Sequence, residues 1–145
     1  MKKKLIQTVI GSVIDQPMIY LAGPFTYPDP MANTRKMTRV ADAILRLHVT
    51  PIVPHLTLLW HLLRPRPQQF WLEYDLQLLA RCKAVLRIPG KSEGTDVEVA
   101  QARQMKIPVL VPESARIQDC VSAVRDWILG RAPVDQGGAD GSASE

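Results

Sequence analysis

From Met18 to Leu129, short apolar runs alternate with segments whose apolar residues recur at helical spacing, and few folds accommodate that alternation. Met18 to Ala22 (MIYLA) is a continuous apolar run closed by Gly23-Pro24, the pattern of a buried parallel strand feeding a loop. Met31 to Leu47 carries Met37, Val40, Ala41, Ile44 and Leu47 on one helical face. Val49 to Val53 is strand-like but contains Pro51, which cannot donate to a ladder and so belongs at a sheet edge. A short apolar helix follows His55 and is broken by Arg64-Pro65-Arg66-Pro67; Gln68 to Lys83 forms the next helix. Ala84 to Ile88 (AVLRI) is a strand, Thr95 to Met105 a helix, Pro108 to Val111 a strand and Ala115 to Leu129 the closing helix. The expected fold class is α/β, a flavodoxin-like doubly wound parallel sheet of four to five strands with helices on both faces and right-handed crossovers.

The chain of 145 residues suits one domain, expected over 18–130. Three lysines before an apolar run imitate a signal peptide at the start of the chain. Gln7, Thr8 and Ser12 interrupt that run, however, and Asp15-Gln16-Pro17 offers no small-residue cleavage site. Residues 1–17 therefore read as an extension with an extra strand or hairpin turning at Gly11-Ser12, and 131–145, rich in Gly, Ala, Ser and Asp, as a disordered tail.

An apolar fraction of 46% and a charged fraction of 22% describe a globular chain. Cys82 and Cys120 form no CxxC pair and have no histidine at ligand spacing, so neither a metal nor a cofactor is expected, and a reducing, cytoplasmic setting suits them. The net charge of +4 permits an anionic small molecule, whereas the absence of an aromatic-basic platform argues against polymeric nucleic acid. No run approaches the ~20 apolar residues of a membrane helix.

In strand order 2-1-3-4 a ligand binds beyond the carboxyl ends of strands 1 and 3. The loops there are Gly23-Pro24-Phe25 and Pro89 to Gly94, the second leading into a helix whose free N–H groups seat an anion. Glu98 falls in the first turn of that helix if it starts at Thr95. It then has two readings: the last member of a capping box that bonds back to Thr95, or a carboxylate held ionised for attack on an electrophilic carbon. Asp75 falls inside the apolar arc of Trp71, Leu72, Leu76 and Leu79, where it either pairs, lines a cleft or marks a misjudged helix phase. Tyr20 reads as a core aromatic, and His55, after strand 2, reaches the same rim. His48 and His61 read as structural or exposed.

Three blocks in order, Ile19 to Phe25 (IYLAGPF), Phe70 to Asp75 (FWLEYD) and Ser92 to Glu98 (SEGTDVE) followed by Ala100 and Pro108-Val109, resemble the nucleoside 2-deoxyribosyltransferase superfamily. The resemblance implies an enzyme that cleaves or transfers the N-glycosidic bond of a nucleoside or its 5′-monophosphate. It implies that Glu98 attacks the anomeric carbon, Asp75 assists the departing base and Tyr20 orients the nucleophile, with Gly23, Pro24, Phe25, His55, Ser92 and Gly94 as substrate contacts. Members that transfer the sugar use a late carboxamide from a neighbouring subunit, whereas the one asparagine here is the early Asn33, so hydrolysis is favoured. Deoxynucleotide hydrolases of the superfamily hold the 5′-phosphate with serines, which implies Ser92 and, later in the chain, Ser114 or Ser122. Pro89-Gly90 with Gly94 to Glu98 is also similar to the PGGxGTxxE loop of nucleoside-monophosphate phosphoribohydrolases, with one extra residue between the glycines. A nucleotide-binding or sensing module without turnover is the competing class, because Asp96, two residues before Glu98, can weaken the nucleophile. A homodimer or higher homo-oligomer is expected from the apolar Leu56 to Leu63 segment, where Trp60 has no evident partner, and from the shared active sites of the superfamily.

Overall fold

The computed structural model describes residues 15–131. The expected N-terminal strand or hairpin lies outside them, as does nearly all of the C-terminal tail. Four strands, β1 (Met18–Ala22), β2 (Thr50–Ile52), β3 (Ala84–Arg87) and β4 (Val109–Leu110), form one sheet in the order β2-β1-β3-β4. Every pairing is parallel, with Tyr20 opposite both Ile52 and Val85, and Ala22 opposite Arg87. The chain thus has the doubly wound, flavodoxin-like α/β fold, and the strand carrying Pro51 lies at the edge.

The helices are α1 (Pro30–Leu45), α2 (Leu58–Leu63), entered through a 3-10 turn at Pro54–Thr57, α3 (Gln68–Leu79), α4 (Glu93–Gln104) and α5 (Ile117–Ile128). Helix α1 starts where the Asp29 carboxylate accepts the Ala32 N–H at 2.7 Å and Pro30 fills a first-turn position that needs no donor. Its buried stripe of Met37, Val40, Ala41 and Ile44 packs with Cys120 and Val124 of α5 onto Ile19, Leu21, Ala84 and Leu86. The opposite face of the sheet, Tyr20, Ala22, Val85 and Val109, meets Leu79 at the end of α3, Cys82 beyond it, and Val99 and Ala102 of α4. Alternation along β1 therefore sends Ile19 and Leu21 to one layer and Tyr20 to the other, beneath α3 and α4.

Helix α4 begins at Glu93, two residues earlier than its apolar pattern suggests, because Ser92 is the cap: its hydroxyl accepts the Thr95 N–H at 3.3 Å. The capping-box reading of Thr95 to Glu98 is thereby corrected, and Glu98 moves into the second turn with its carboxylate free for other partners. Trp60 also has partners, since its ring stands edge-on to Trp71 and Tyr74 of α3. His61 belongs to the same cluster, with Nδ1 accepting the Trp71 indole N–H at 2.8 Å.

The loops after β1 and β3 are pressed together. Gly90 has φ +147°, and a Cβ there would stand 2.4 Å from Pro24 Cγ. Gly90→Ala combines that overlap with a backbone conformation that L-residues avoid. It should lower unfolding stability by about 2–4 kcal/mol in urea titrations. In Pro24→Ala the overlap is relieved, so the same glycine substitution should cost roughly half as much.

Candidate active site

The buried polar side chains at the carboxyl end of the sheet come from four elements. Tyr20, on central strand β1, is fully buried, and its hydroxyl donates to Glu98 Oε1 at 2.7 Å. A tyrosine in a core strand needs a partner for its O–H, and the second turn of α4 supplies a carboxylate rather than a backbone carbonyl. Glu98 is 8% exposed. Burial pushes its carboxyl up to about 7, while the Tyr20 hydrogen bond and the Arg87 charge pull the other way.

Asp75 projects from α3 toward the same place. Its Oδ1 is buried and finds no hydrogen-bond partner among the described residues. Burial first, and the charge of Glu98 second, raise its carboxyl to about 7. The Tyr20 hydroxyl is raised well beyond the normal phenol range by burial and by the neighbouring carboxylates, so it stays protonated and can only donate to Glu98.

The two carboxyl groups are not equivalent. Glu98 has an O–H donor and a nearby cation to stabilise its anion; among the described residues no donor reaches Asp75 Oδ1, and Asp75 feels the Glu98 charge. The anion is therefore better supported on Glu98, and the proton is better kept on Asp75. Two neighbouring carboxyl groups are thus set apart by environment alone.

The other predicted residues divide between lining and scaffold. Pro24 and Phe25 stand with His55: the His55 ring meets Phe25 edge-on, and its Nε2 donates to the Pro24 carbonyl at 2.8 Å. A carbonyl only accepts, so Nε2 carries the hydrogen and Nδ1 is an acceptor, buried and without a partner among the described residues. Burial lowers the pKa of this imidazole, with the Pro24 hydrogen bond pulling the other way. Gly23 admits Met37, whose Sδ would lie 3.1 Å from a Cβ there, whereas above Gly94 the nearest atom is Ser92 Oγ at 4.0 Å, so the start of α4 is open. Asn33 fastens the β1–α1 loop by donating to the Phe25 and Tyr27 carbonyls, each at 2.8 Å.

Asp96 does not burden Glu98. It is exposed and pairs with Arg87 at 3.3 Å. The later serines stand in acidic surroundings. Ser114 is bonded to Asp119 and Arg116, and Ser122 shares a surface groove with Glu113, Asp119 and Asp126, a poor setting for a phosphate. Arg87 escaped the sequence reading. Its one signal was a charged residue inside the apolar run AVLRI, which is also what an ordinary strand end looks like.

Fold and geometry define a doubly wound α/β protein whose switch point holds a buried tyrosine–glutamate pair and a second carboxyl, Asp75, with a buried oxygen that has no partner among the described residues. Residues 17–111 match the family described as a domain of unknown function (DUF7768), and the chain belongs to that family. The matched span includes every candidate side chain from Tyr20 to Glu98 and leaves out α5. No curated protein matches the chain. Among solved structures it is similar to a 2-deoxyribosyltransferase from the psychrotolerant bacterium Bacillus psychrosaccharolyticus, with 21% identity over 65% of this chain and 70% of that one and a TM-score of 0.48. Among the described residues no helix is long and apolar enough to cross a membrane, and no group of three metal-binding side chains occurs.

Proposed function

We propose that the protein is an enzyme that cleaves the N-glycosidic bond of a nucleoside or its 5′-monophosphate, with hydrolysis favoured over base exchange. The observation that carries this reading is the Tyr20–Glu98 hydrogen bond beside Asp75, whose buried Oδ1 has no partner among the described residues. Glu98 attacks the anomeric carbon through Oε2, while Tyr20 holds Oε1 and fixes the plane of the carboxylate. As the bond from that carbon to the base nitrogen breaks, Asp75 gives its proton to the departing base. The glycosyl ester on Glu98 is then attacked by water. Asp75, now ionised, accepts a proton from that water, the sugar leaves with a new hydroxyl, and both carboxyl groups return to their starting states.

Gly23, Pro24, Phe25 and His55 form one side of the substrate site in this reading, and His55 Nδ1 accepts a hydrogen bond from a sugar hydroxyl. Ser92 and Gly94, at the open N-terminus of α4, form the side that meets a 5′-phosphate. Base release from a panel of nucleosides and 5′-monophosphates, with calorimetric binding on the same panel, tests both points. The 5′-monophosphate should bind at least about tenfold tighter than its nucleoside. Binding without release from any member would identify a nucleotide-binding module instead.

The active assembly is proposed to be at least a dimer of this chain. Leu56, Leu59, Leu62 and Leu63 are each 60% exposed or more, and α2 has no charged residue to oppose a second copy. Light scattering at micromolar concentration should give twice the chain mass or more, and Leu59→Glu should halve it.

A further inference from the structure

Arg87 ends β3 beside Ala22, at the point where the sheet opens toward the site. Its side chain is only 17% exposed, and its hydrogen-bond partners among the described residues lie on the β3–α4 loop and the first turn of α4. Nη1 donates to the Ile88 carbonyl; Nη2 donates to the Gly90 carbonyl at 2.9 Å and reaches Asp96 Oδ1, on α4, at 3.3 Å. These contacts fold the loop back on its own strand. Gly90, caught in this grip, is the residue packed against Pro24, and Pro24 in turn holds His55. Two residues further on, Ser92 caps the helix that carries Glu98.

We propose that Arg87 is a positioning residue for Glu98, which it serves in two separable ways: its planar fork fixes the β3–α4 loop against the β1 loop, and its charge stabilises the Glu98 carboxylate. The proposal rests on the reading of Glu98 as the nucleophile. A loop of this kind needs an internal fastening because its carbonyls point away from the strand ladder, and a guanidinium can span two of them where an ammonium cannot. The surface pair with Asp96 adds little by itself, since Asp96 is 71% exposed.

The charge has few rivals. The elements packed on α4 are β1, β3, β4 and α3. Tyr20 faces Glu98 from β1 as a neutral donor, and Asp75 faces it from α3, with the Cys82 thiol just beyond that helix, near Tyr20. Strand β4 offers only Val109 and Leu110, and on α4 itself Glu93 and Asp96 are acidic, while the cation Arg103 lies in the last turn, at the other end from Ser92. Arg87 is the cation whose charge opposes the effect of burial on Glu98.

Carboxyl-carbon NMR of the full chain labelled at glutamate tests both roles without requiring turnover, the Glu98 signal being the one missing from Glu98→Gln. In Arg87→Met the Glu98 titration midpoint should rise by about one pH unit. The Thr95 amide, donated to Ser92, should exchange about tenfold faster. Arg87→Lys should keep the midpoint near that of the unsubstituted protein yet exchange Thr95 as fast as Arg87→Met, because it restores charge without the fork. An unmoved midpoint in a folded Arg87→Met protein overturns the electrostatic role, and unchanged Thr95 exchange overturns the clamp. Should Arg87→Met fail to fold, Arg87→Lys decides: a displaced midpoint or unaltered exchange overturns the proposal. Loss of base release from every substrate would remove the glycosidic reading while leaving these measurements in force.

Discussion

A Glu98→Gln protein should fold, bind ligand and release base at a rate lower by roughly three orders of magnitude or more. The amide keeps an oxygen that can accept the Tyr20 hydrogen bond, so the buried contact at 2.7 Å has a replacement. It has no anionic oxygen with which to attack the anomeric carbon. Helix α4 loses nothing at its start, because the cap is Ser92 and not Glu98. Ser92→Ala should therefore cost about 1 kcal/mol of stability, a loss that Glu98→Gln does not share. Thermal unfolding and single-turnover base release, measured on both variants, separate the two effects. Near-normal turnover in Glu98→Gln would end the proposed mechanism.

Asp75→Asn should slow base release by about 10²- to 10³-fold for bases that leave poorly, and much less for bases that leave readily, because only the former need the proton. The decline in rate at alkaline pH, where Asp75 would lose its proton, should disappear with it. The same variant alters stability in a direction that follows from the raised carboxyl. In the folded protein Asp75 holds its proton to about pH 7, whereas the unfolded chain releases it near 3.8. Between those values the folded state binds the additional proton, so stability is greatest on the acid side and is lost as pH rises through that window. Glu98 contributes in the same direction between 4.5 and about 7. Urea unfolding should accordingly show the protein less stable at pH 8 than at pH 5. Asp75→Asn should recover about 1–2 kcal/mol at pH 8, after allowance for solvent screening of its exposed part.

What could be read from the residues was whatever depends on neighbours close in the chain. The run MIYLA matches β1 residue for residue, and the Met37, Val40, Ala41, Ile44 stripe is the buried face of α1. Pro51 marked the edge strand because a missing donor is a property of one residue. The two glycine-bearing loops could be paired from strand order alone. Boundaries were less legible: α4 starts two residues early because Ser92 competes with Thr95 for the cap, and local sequence favours either one. Trp60 seemed partnerless because its contacts, Trp71 and Tyr74, lie across the Pro65 and Pro67 break.

The amino-acid sequence by itself determined the alternation of strands and helices, the edge strand, and the three blocks that single out Tyr20, Asp75 and Glu98. Only the tertiary structure decided how those residues differ in chemistry. The Tyr20 hydroxyl reaches Glu98 across 78 positions of the chain, Asp75 keeps a buried oxygen that meets no donor among the described residues, and Arg87 turns from the end of a strand to grip the loop above it. Ionisation is governed by distance and burial in three dimensions, and no period of 2 or 3.6 along a chain carries either quantity.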